Sequence, residues 1–328
     1  MNFKIKLQKI ILLLLLIMPF NVLAYSDYVV VGGNNVGIEI NSKGIMVVGF
    51  YKVNGKDIGK DAGFINGDKI IKVSNKEVTS INDMIKKINE NINDNPVEFT
   101  VLRNNSETNI KLSLVKDSNN VYKTGLYVKD QITGIGTLTY IDPNTKIYGA
   151  LGHEIIESNS NIKIEVKDGK IFGASIVGIT KSTDTTTGEK NARFNDDITY
   201  GTINENTISG IFGKYTNKFD RTRLKKVAQP DEIEIGSAKI LTVLNENNIE
   251  EFDINVLKVN RDGLTKNILF EITDERLKNK TNGVIKGMSG SPIIQNNKII
   301  GAVTHAIVND NTKGYGIFIT TMLEEGEN

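Results

Sequence analysis

The spacing of apolar positions divides the chain into two regions with different periodicities. Between residues 28 and 116, short apolar runs surround one segment in which Ile81, Met84 and Ile88 recur at helical spacing. From residue 125 to residue 324, short runs of Val, Ile and Thr are separated by Gly, Asn and Asp. This pattern predicts a small α+β unit followed by an all-β barrel or sandwich.

Turn signals divide these regions further. A polar connector, residues 117–124, separates the two units. Within the β unit, Asp168-Gly169 predicts a tight hairpin turn because this pair readily adopts two positive φ angles. Asn296-Asn297 predicts a second hairpin, between Pro292 and Thr304.

The N-terminus has the pattern of an export signal. Three lysines precede the apolar run from Ile10 to Phe20, and Val22-Leu23-Ala24 offers a cleavage site. The uncharged stretch is just long enough for a membrane span, which needs about 17–25 residues. Residues 1–24 are therefore predicted to be a signal peptide or a membrane anchor, so the protein is exported and membrane contact through this segment stays open.

Composition limits the chemistry. The 328 residues predict roughly two domains at about 150 residues each, and 40 basic against 39 acidic residues give no basic field for nucleic acid. The chain has no Cys and two His, which excludes disulfides and thiolate sites and makes a multi-histidine metal site improbable. We predict no metal and no cofactor.

The first unit resembles a PDZ domain through the run A-G-F-I-N-G-D-K-I-I and the helix that follows it. The resemblance implies that an extended peptide adds to an exposed strand edge, with backbone N–H groups capturing its end. The matching peptide-binding loop is Val36, Gly37 and Ile38, although Gly37 could simply permit a turn.

The hexapeptide Gly-Met-Ser-Gly-Ser-Pro, residues 287–292, carries the strongest chemical signal. Glycines on both sides of Ser289 permit a tight loop that presents the hydroxyl of a nucleophilic serine. The N–H groups of Gly287 and Ser289 are the predicted oxyanion donors. His153, in the preceding half of the unit, is the predicted general base, an order that suits a chymotrypsin-like protease of two barrels. By the usual spacing after the histidine, Asp196 or Asp197 would orient it.

Two long runs, T-G-I-G-T-L-T-Y-I-D-P-N-T-K-I-Y-G-A-L-G-H (133–153) and the block from 272 to 319 around Ser289, resemble the stage IV sporulation protein B peptidase family. A PDZ domain followed by a chymotrypsin-like double β-barrel, behind an export segment, is also that family's layout. By this resemblance the triad acid is Asp274, and this assignment is preferred to the spacing.

The resemblance further implies a serine endopeptidase that is made in the forespore and exported to the space between the forespore and mother-cell membranes. It would process itself and cleave a membrane-complex subunit, which triggers sigma-factor activation in the mother cell. The implied partners are this protein substrate and a peptide ligand at the PDZ domain.

Two further residues near the nucleophile carry weaker hypotheses. His305 follows Ser289 on the strand that walls the primary specificity pocket of chymotrypsin-like enzymes, which suggests a polar pocket, or else a packed histidine bonded to backbone. Lys286 could act as a base, but its position on the same tight loop gives no reason for it to face Ser289.

Two other classes of function stay open at this point. One is a catalytically silent scaffold that binds peptides through the PDZ groove. The other is a broad quality-control protease. Proteases of that class that combine PDZ domains with a serine protease domain, however, place the PDZ domains after the protease domain.

Overall fold

A computed structural model describes residues 25–307 and 309–327, and it is mainly β, as predicted. The helices are short: α1 (Ile58–Asp61), α2 (Ile81–Glu90), α3 (Glu275–Thr281) and α4 (Ile319–Gly326). In this part of the chain, none of them has the length and apolar character needed to cross a bilayer. The signal peptide or anchor predicted for residues 1–24 lies outside the described residues.

The strands form two six-stranded circuits and a smaller sheet. In chain order they are β1 (Tyr28–Val31), β2 (Asn35–Phe50), β3 (Lys69–Val73), β4 (Lys76–Glu77), β5 (Val97–Arg103), β6 (Ser106–Leu112), β7 (Val115–Lys116), β8 (Tyr122–Lys123), β9 (Leu126–Ile141), β10 (Ile147–Ala150), β11 (Ile156–Glu157), β12 (Ile162–Lys163), β13 (Val166–Thr180), β14 (Glu189–Thr202), β15 (Glu205–Thr207), β16 (Gly210–Lys214), β17 (Leu224–Val227), β18 (Gly236–Val243), β19 (Ile249–Val259), β20 (Ile268–Ile272), β21 (Pro292–Gln295), β22 (Lys298–Ile307) and β23 (Asp310–Phe318).

The first barrel is the circuit β2-β9-β10-β16-β14-β13, which returns to β2. A single bridge between Gly201 and Tyr215 joins β14 to β16. Alternate side chains of β2 and β13, among them Val36, Ile38 and Ile171, fill its core. Because every strand of the circuit has two neighbours over part of its length, the barrel buries most of its backbone polar groups without an open edge.

The second barrel is the circuit β18-β19-β20-β23-β22-β21, which closes on β18. Its core includes Phe252, Phe270 and Ile293. The predicted hairpin at Asn296-Asn297 is confirmed: β21 pairs with β22, and both asparagines have positive φ angles of 49° and 62°.

A third core lies in the PDZ unit, where the second half of β2 joins β3, β5 and β6 beside α2. The predicted helix is confirmed, and the Ser80 hydroxyl accepts a hydrogen bond from the N–H of Asp83 at its start. Met84 and Ile88 are buried on its inner face.

The structural boundaries differ from those predicted from the sequence, which started the PDZ unit at residue 28 and ended it at residue 116. β1 pairs with β9 and β17, and the first half of β2 belongs to the first barrel. The chain therefore lays down barrel strands first, and the PDZ unit is inserted in the connection between two neighbouring strands of that barrel, β2 and β9.

The hairpin predicted at Asp168-Gly169 is wrong. Both residues lie inside β13, where they pair with Asn41 and Ile40 of β2. The glycine is needed for another reason: a Cβ at Gly169 would lie 2.7 Å from the backbone oxygen of Glu39. A close approach of two strands, not a turn, accounts for this glycine.

The two barrels meet along a shared apolar layer. β17 pairs with β1, on the side of the first barrel, and it pairs in parallel with β22 of the second barrel. Met322 and Leu323 of α4 are buried in the same layer, and the Tyr140 hydroxyl donates to the backbone oxygen of Met322 over 3.1 Å. This layer fixes the relative position of the two barrels, and the cleft described next lies between them.

Candidate active site

The loop that carries Ser289 connects α3 to β21. Gly287 and Gly290 have φ angles of +91° and +88°, which L side chains rarely adopt. A Cβ at Gly290 would lie 2.1 Å from the backbone oxygen of Thr137. Met288 is buried and anchors the loop, while Ser289 is half-buried and its hydroxyl donates to the Thr304 oxygen over 3.2 Å. The glycines therefore allow the loop to fold tightly against the first barrel with its serine at the cleft.

Of the five N–H groups of residues 287–291, three are hydrogen-bonded to described residues and two are not. Those of Met288, Gly290 and Ser291 donate to Ile285, Val303 and Met288. Those of Gly287 and Ser289 have no acceptor among residues 25–307 and 309–327. Unbonded N–H groups beside a serine hydroxyl are what an oxyanion hole requires, because they are available to a charge that develops on the substrate.

His153 follows β10 after a turn in which Leu151 and Gly152 both have φ of 70°. Its Nδ1 lies 2.8 Å from the backbone oxygen of Glu154. A carbonyl oxygen can only accept, so Nδ1 carries the proton and Nε2 is left as the basic nitrogen. Burial lowers the pKa of His153, which keeps the imidazole neutral at pH 7.

The cleft brings His153, Ser289, Gly287 and His305 together around one cavity of about 660 Å³. The two imidazole rings lie with their centroids 5.0 Å apart. Burial, then the neighbouring His153 and Lys266, lowers the pKa of His305 to about 4. The apolar part of the wall comes mainly from the first barrel and includes Ile132, Ile135, Leu151, Ile155 and Ile208.

A smaller cavity of about 250 Å³ adjoins the same serine. His305 and Thr304 of β22 form one wall, and Val284 and Lys286 form another. Lys286 is exposed, and its side chain makes no hydrogen bond to Ser289 among the described residues. This arrangement gives Lys286 a place in the pocket wall and no contact through which it could activate the serine.

Asp274 is not brought to His153, which corrects the prediction from the family resemblance. It is the N-cap of α3, where its carboxylate accepts from the N–H of Arg276 and from that residue's guanidinium at 2.7 Å. A further hydrogen bond comes from the N–H of Asp253. The Arg276 guanidinium holds the pKa of Asp274 at about 2. The carboxylate is thus committed to capping and pairing.

The two alternative acids are not placed to orient His153 either. Asp196 and Asp197 are exposed on β14 and make no contact with His153. Spacing along the sequence could not show this, because residues 196–198 bulge out of the pairing between β13 and β14. In the described part of the chain the orienting group of His153 is the backbone oxygen of Glu154.

Val36, Gly37 and Ile38 are not a peptide-binding loop. They lie inside β2, which is hydrogen-bonded to β9 on one side and to β13 on the other. A Cβ at Gly37 would lie 2.2 Å from the Phe172 ring. Strand addition needs a free edge, and both edges here are taken.

Sequence reasoning missed two residues that hold the serine loop. Thr137 donates its hydroxyl to the oxygen of Gly287 and its N–H to the oxygen of Ser289, over 2.8 and 3.0 Å. Lys190 packs beneath Gly287. Thr137 lies within the run that carries the family resemblance, whereas nothing in the sequence distinguishes Lys190 from the other lysines. Among the described residues no group of His, Cys, Asp and Glu could hold a metal ion.

The fold and this site define a serine peptidase whose PDZ domain lies in the N-terminal half of the chain, between two strands of the first barrel. A family model described as SpoIVB peptidase S55 matches residues 120–323, more than half of the chain, and a PDZ domain model matches residues 35–114. The chain belongs to the SpoIVB peptidase S55 family, and it is a hydrolase that acts on peptide bonds. A search of curated proteins found no match.

Proposed function

We propose that this sporulation peptidase is an exported endopeptidase that processes itself and cleaves a membrane-associated regulatory protein in the space between the forespore and mother-cell membranes. That cleavage would trigger activation of the mother-cell sigma factor. The observation that carries the catalytic part is the pair of unbonded N–H groups beside Ser289, in the same cleft as His153. The signalling part rests on membership of the family.

In the proposed mechanism, Ser289 attacks the scissile carbonyl as its hydroxyl turns from the Thr304 oxygen toward His153. Nε2 of His153 accepts the proton, and the Gly287 and Ser289 N–H groups hold the oxyanion. His153 then protonates the leaving amine, and water releases the acyl group by the reverse proton transfers. The Glu154 oxygen stabilises the imidazolium through Nδ1, the role that a carboxylate performs in the familiar triad.

The smaller cavity is the proposed pocket for the residue that precedes the cleaved bond. Its wall carries His305, whose low pKa keeps the ring neutral, so it can donate or accept one hydrogen bond to an uncharged polar side chain. We expect the preferred residue at this position to change when His305 is replaced by alanine. An unchanged cleavage-site preference would assign His305 to packing alone.

The larger cavity is the proposed groove for the remainder of the substrate. Its isoleucine-rich wall favours aliphatic side chains near the scissile bond, because burying them removes apolar surface from water on both partners.

A peptide ligand at the PDZ unit needs a different edge from the one expected. The strand beside α2 is the first part of β9, where the N–H of Ile81 donates to Asp130. Residues 126–129 of β9 pair with β2 on one side, and on the other side no described strand pairs with them. We propose this edge as the place where an extended segment of the substrate or of a regulator docks.

The test uses residues 25–328 as wild type and as Ser289→Ala. The proposal expects fragments from the wild type alone, measured by intact mass, and labelling of Ser289 by a fluorophosphonate. Labelling without self-cleavage would keep the peptidase and remove self-processing. A folded wild type that neither labels nor cleaves would favour the silent peptide-binding scaffold.

A second experiment separates signalling from quality control. Reduced, unfolded casein is incubated with the wild type beside a panel of membrane proteins from sporulating cells. Cleavage of one membrane protein with casein left intact supports the signalling role. Broad degradation of casein would contradict it.

A further inference from the structure

Lys190 is the one basic side chain that is buried within residues 25–307 and 309–327, at 3% exposed. It lies at the start of β14, and its Nζ reaches the interface between the two barrels. There it is 2.9 Å from Oδ1 of Asn35, on β2 of the first barrel, and 2.8 Å from the Thr242 hydroxyl, on β18 of the second. One side chain therefore ties together three strands from both halves of the enzyme.

No carboxylate accompanies this lysine. Its contacts in the described structure are neutral oxygens, and burial alone lowers its pKa to about 7. A neutral amine has two N–H donors, which match the two oxygens, whereas an ammonium would leave a third donor unpaired. A buried amine costs more than an apolar side chain of similar size, so its presence calls for an explanation beyond stability.

The stem of the same side chain supports the oxyanion loop. A Cβ at Gly287 would lie between 3.1 and 3.3 Å from three carbons of Lys190, so the glycine backbone rests directly on the lysine chain. The N–H of Lys190 donates to the oxygen of Lys286, and the N–H of Lys286 donates to the oxygen of Gly188. Thr137 holds the opposite side of the loop.

We propose that Lys190 is a positioning residue for the oxyanion hole: anchored at Asn35 and Thr242, it supports Gly287 so that the N–H groups of Gly287 and Ser289 converge on the substrate carbonyl. The inference rests on the proposed role of Ser289. It adds that the geometry of the oxyanion hole depends on the interface between the two barrels, since a shift of either Asn35 or Thr242 would move the Lys190 side chain that supports Gly287.

The first measurement is the rate of Ser289 labelling by a fluorophosphonate, together with hydrolysis of a peptide that spans the self-cleavage site, for the wild type and Lys190→Met. Methionine keeps much of the stem and removes the amine. A displaced oxyanion donor costs about 10²-fold in rate, so we expect labelling and kcat to fall by about that factor while KM stays within threefold. Rates are divided by the labelling endpoint, which removes any contribution from misfolded protein. Lys239→Met, at an exposed lysine on β18, is the matched control and should match the wild type.

The second measurement does not depend on activity. Amide hydrogen exchange of residues 284–291, followed by mass spectrometry, should become at least tenfold faster in Lys190→Met, whereas exchange of residues 97–112 in the PDZ unit should not change. A purely structural role would speed exchange throughout the chain and leave the rate per labelled enzyme intact.

Thr242→Val, which removes one anchor and keeps the shape, serves if Lys190→Met does not fold. It should show the same changes at a smaller size. Unaltered labelling and unaltered exchange at 284–291 in a folded variant would overturn the inference. Failure of the proposed function would show differently, as a wild type that the probe does not label.

Discussion

The two barrels have the same number of strands but differ in how the chain builds them. The second is assembled from one continuous stretch, residues 236–318, mostly through hairpins between neighbours in sequence. The first is interrupted by the whole PDZ unit, so that β2 pairs with β9 and β13 across long separations. The turn signal at Asn296-Asn297 therefore predicted a hairpin of the second barrel correctly. In the first barrel, pairing between strands distant in sequence made the turn signal at Asp168-Gly169 misleading.

The catalytic groups follow the same division. Ser289 and its oxyanion donors belong to one short loop leading into a second-barrel hairpin, and His153 belongs to the first barrel. Each half orients its own group with its own backbone: Thr304 beside the serine and Glu154 beside the histidine. The aspartate expected to join them serves the second barrel alone, as a helix cap.

The largest expected effect compares His153 with Asp274. His153→Ala removes the general base and should lower kcat by about 10⁴-fold or more. Asp274→Asn keeps a capping oxygen and should lower kcat by less than about tenfold, because no described contact joins it to His153. Both are measured as hydrolysis of a peptide that spans the self-cleavage site, per mole of folded enzyme. A loss for Asp274→Asn equal to that of His153→Ala would show that the triad forms through a rearrangement.

The fall of kcat/KM at low pH gives a second test of whether a carboxylate orients His153. His153 must be neutral to act as base, and burial lowers its pKa by more than the hydrogen bond and the charge of the neighbouring Glu154 raise it. We expect the midpoint of the acid-side fall in kcat/KM to lie below the ordinary histidine value of 6.5, and kcat/KM to fall about tenfold per pH unit below that midpoint. A midpoint above 6.5 would indicate an acid beside the imidazole.

Because of the buried amine of Lys190, we expect the free energy of unfolding to depend on pH above pH 7. Its folded pKa of about 7 lies below the unfolded value of 10.5, so between these values the unfolded chain binds one more proton. The free energy of unfolding should therefore rise with pH across this range, by at most about 1.4 kcal/mol per unit from this group. Urea unfolding of the wild type and Lys190→Met at pH 7 and 9 tests it: the rise should be smaller in the variant.

The smallest expected effects come from the two turn signals. Gly169→Ala places a Cβ 2.7 Å from a backbone oxygen and should cost about 2 kcal/mol of unfolding free energy. Asn297→Gly, at a positive φ of 62°, should change it by less than about 0.5 kcal/mol. Thermal unfolding of the two variants measures the difference. Equal, small effects would favour a turn at residue 169 over a strand.

The sequence by itself determined the two classes of unit, the helix capped by Ser80 and the hairpin at Asn296-Asn297, and it predicted His153 and Ser289 as a catalytic pair, two residues that line the same cleft. These follow from signals that span a few residues, or from a motif whose glycines leave one backbone path. The family resemblance supplied the order of the two units and the class of enzyme, and it also supplied Asp274, which the structure places elsewhere.

Only the tertiary structure decided which strands are neighbours. A strand edge is free or paired according to partners that lie more than a hundred residues away, so the segment Val36, Gly37 and Ile38 could resemble a loop in sequence and still lie in the interior of a barrel. The same holds for charge: Asp274 meets Arg276 two residues along, whereas Lys190 becomes a buried amine under Gly287 only because two barrels close over it.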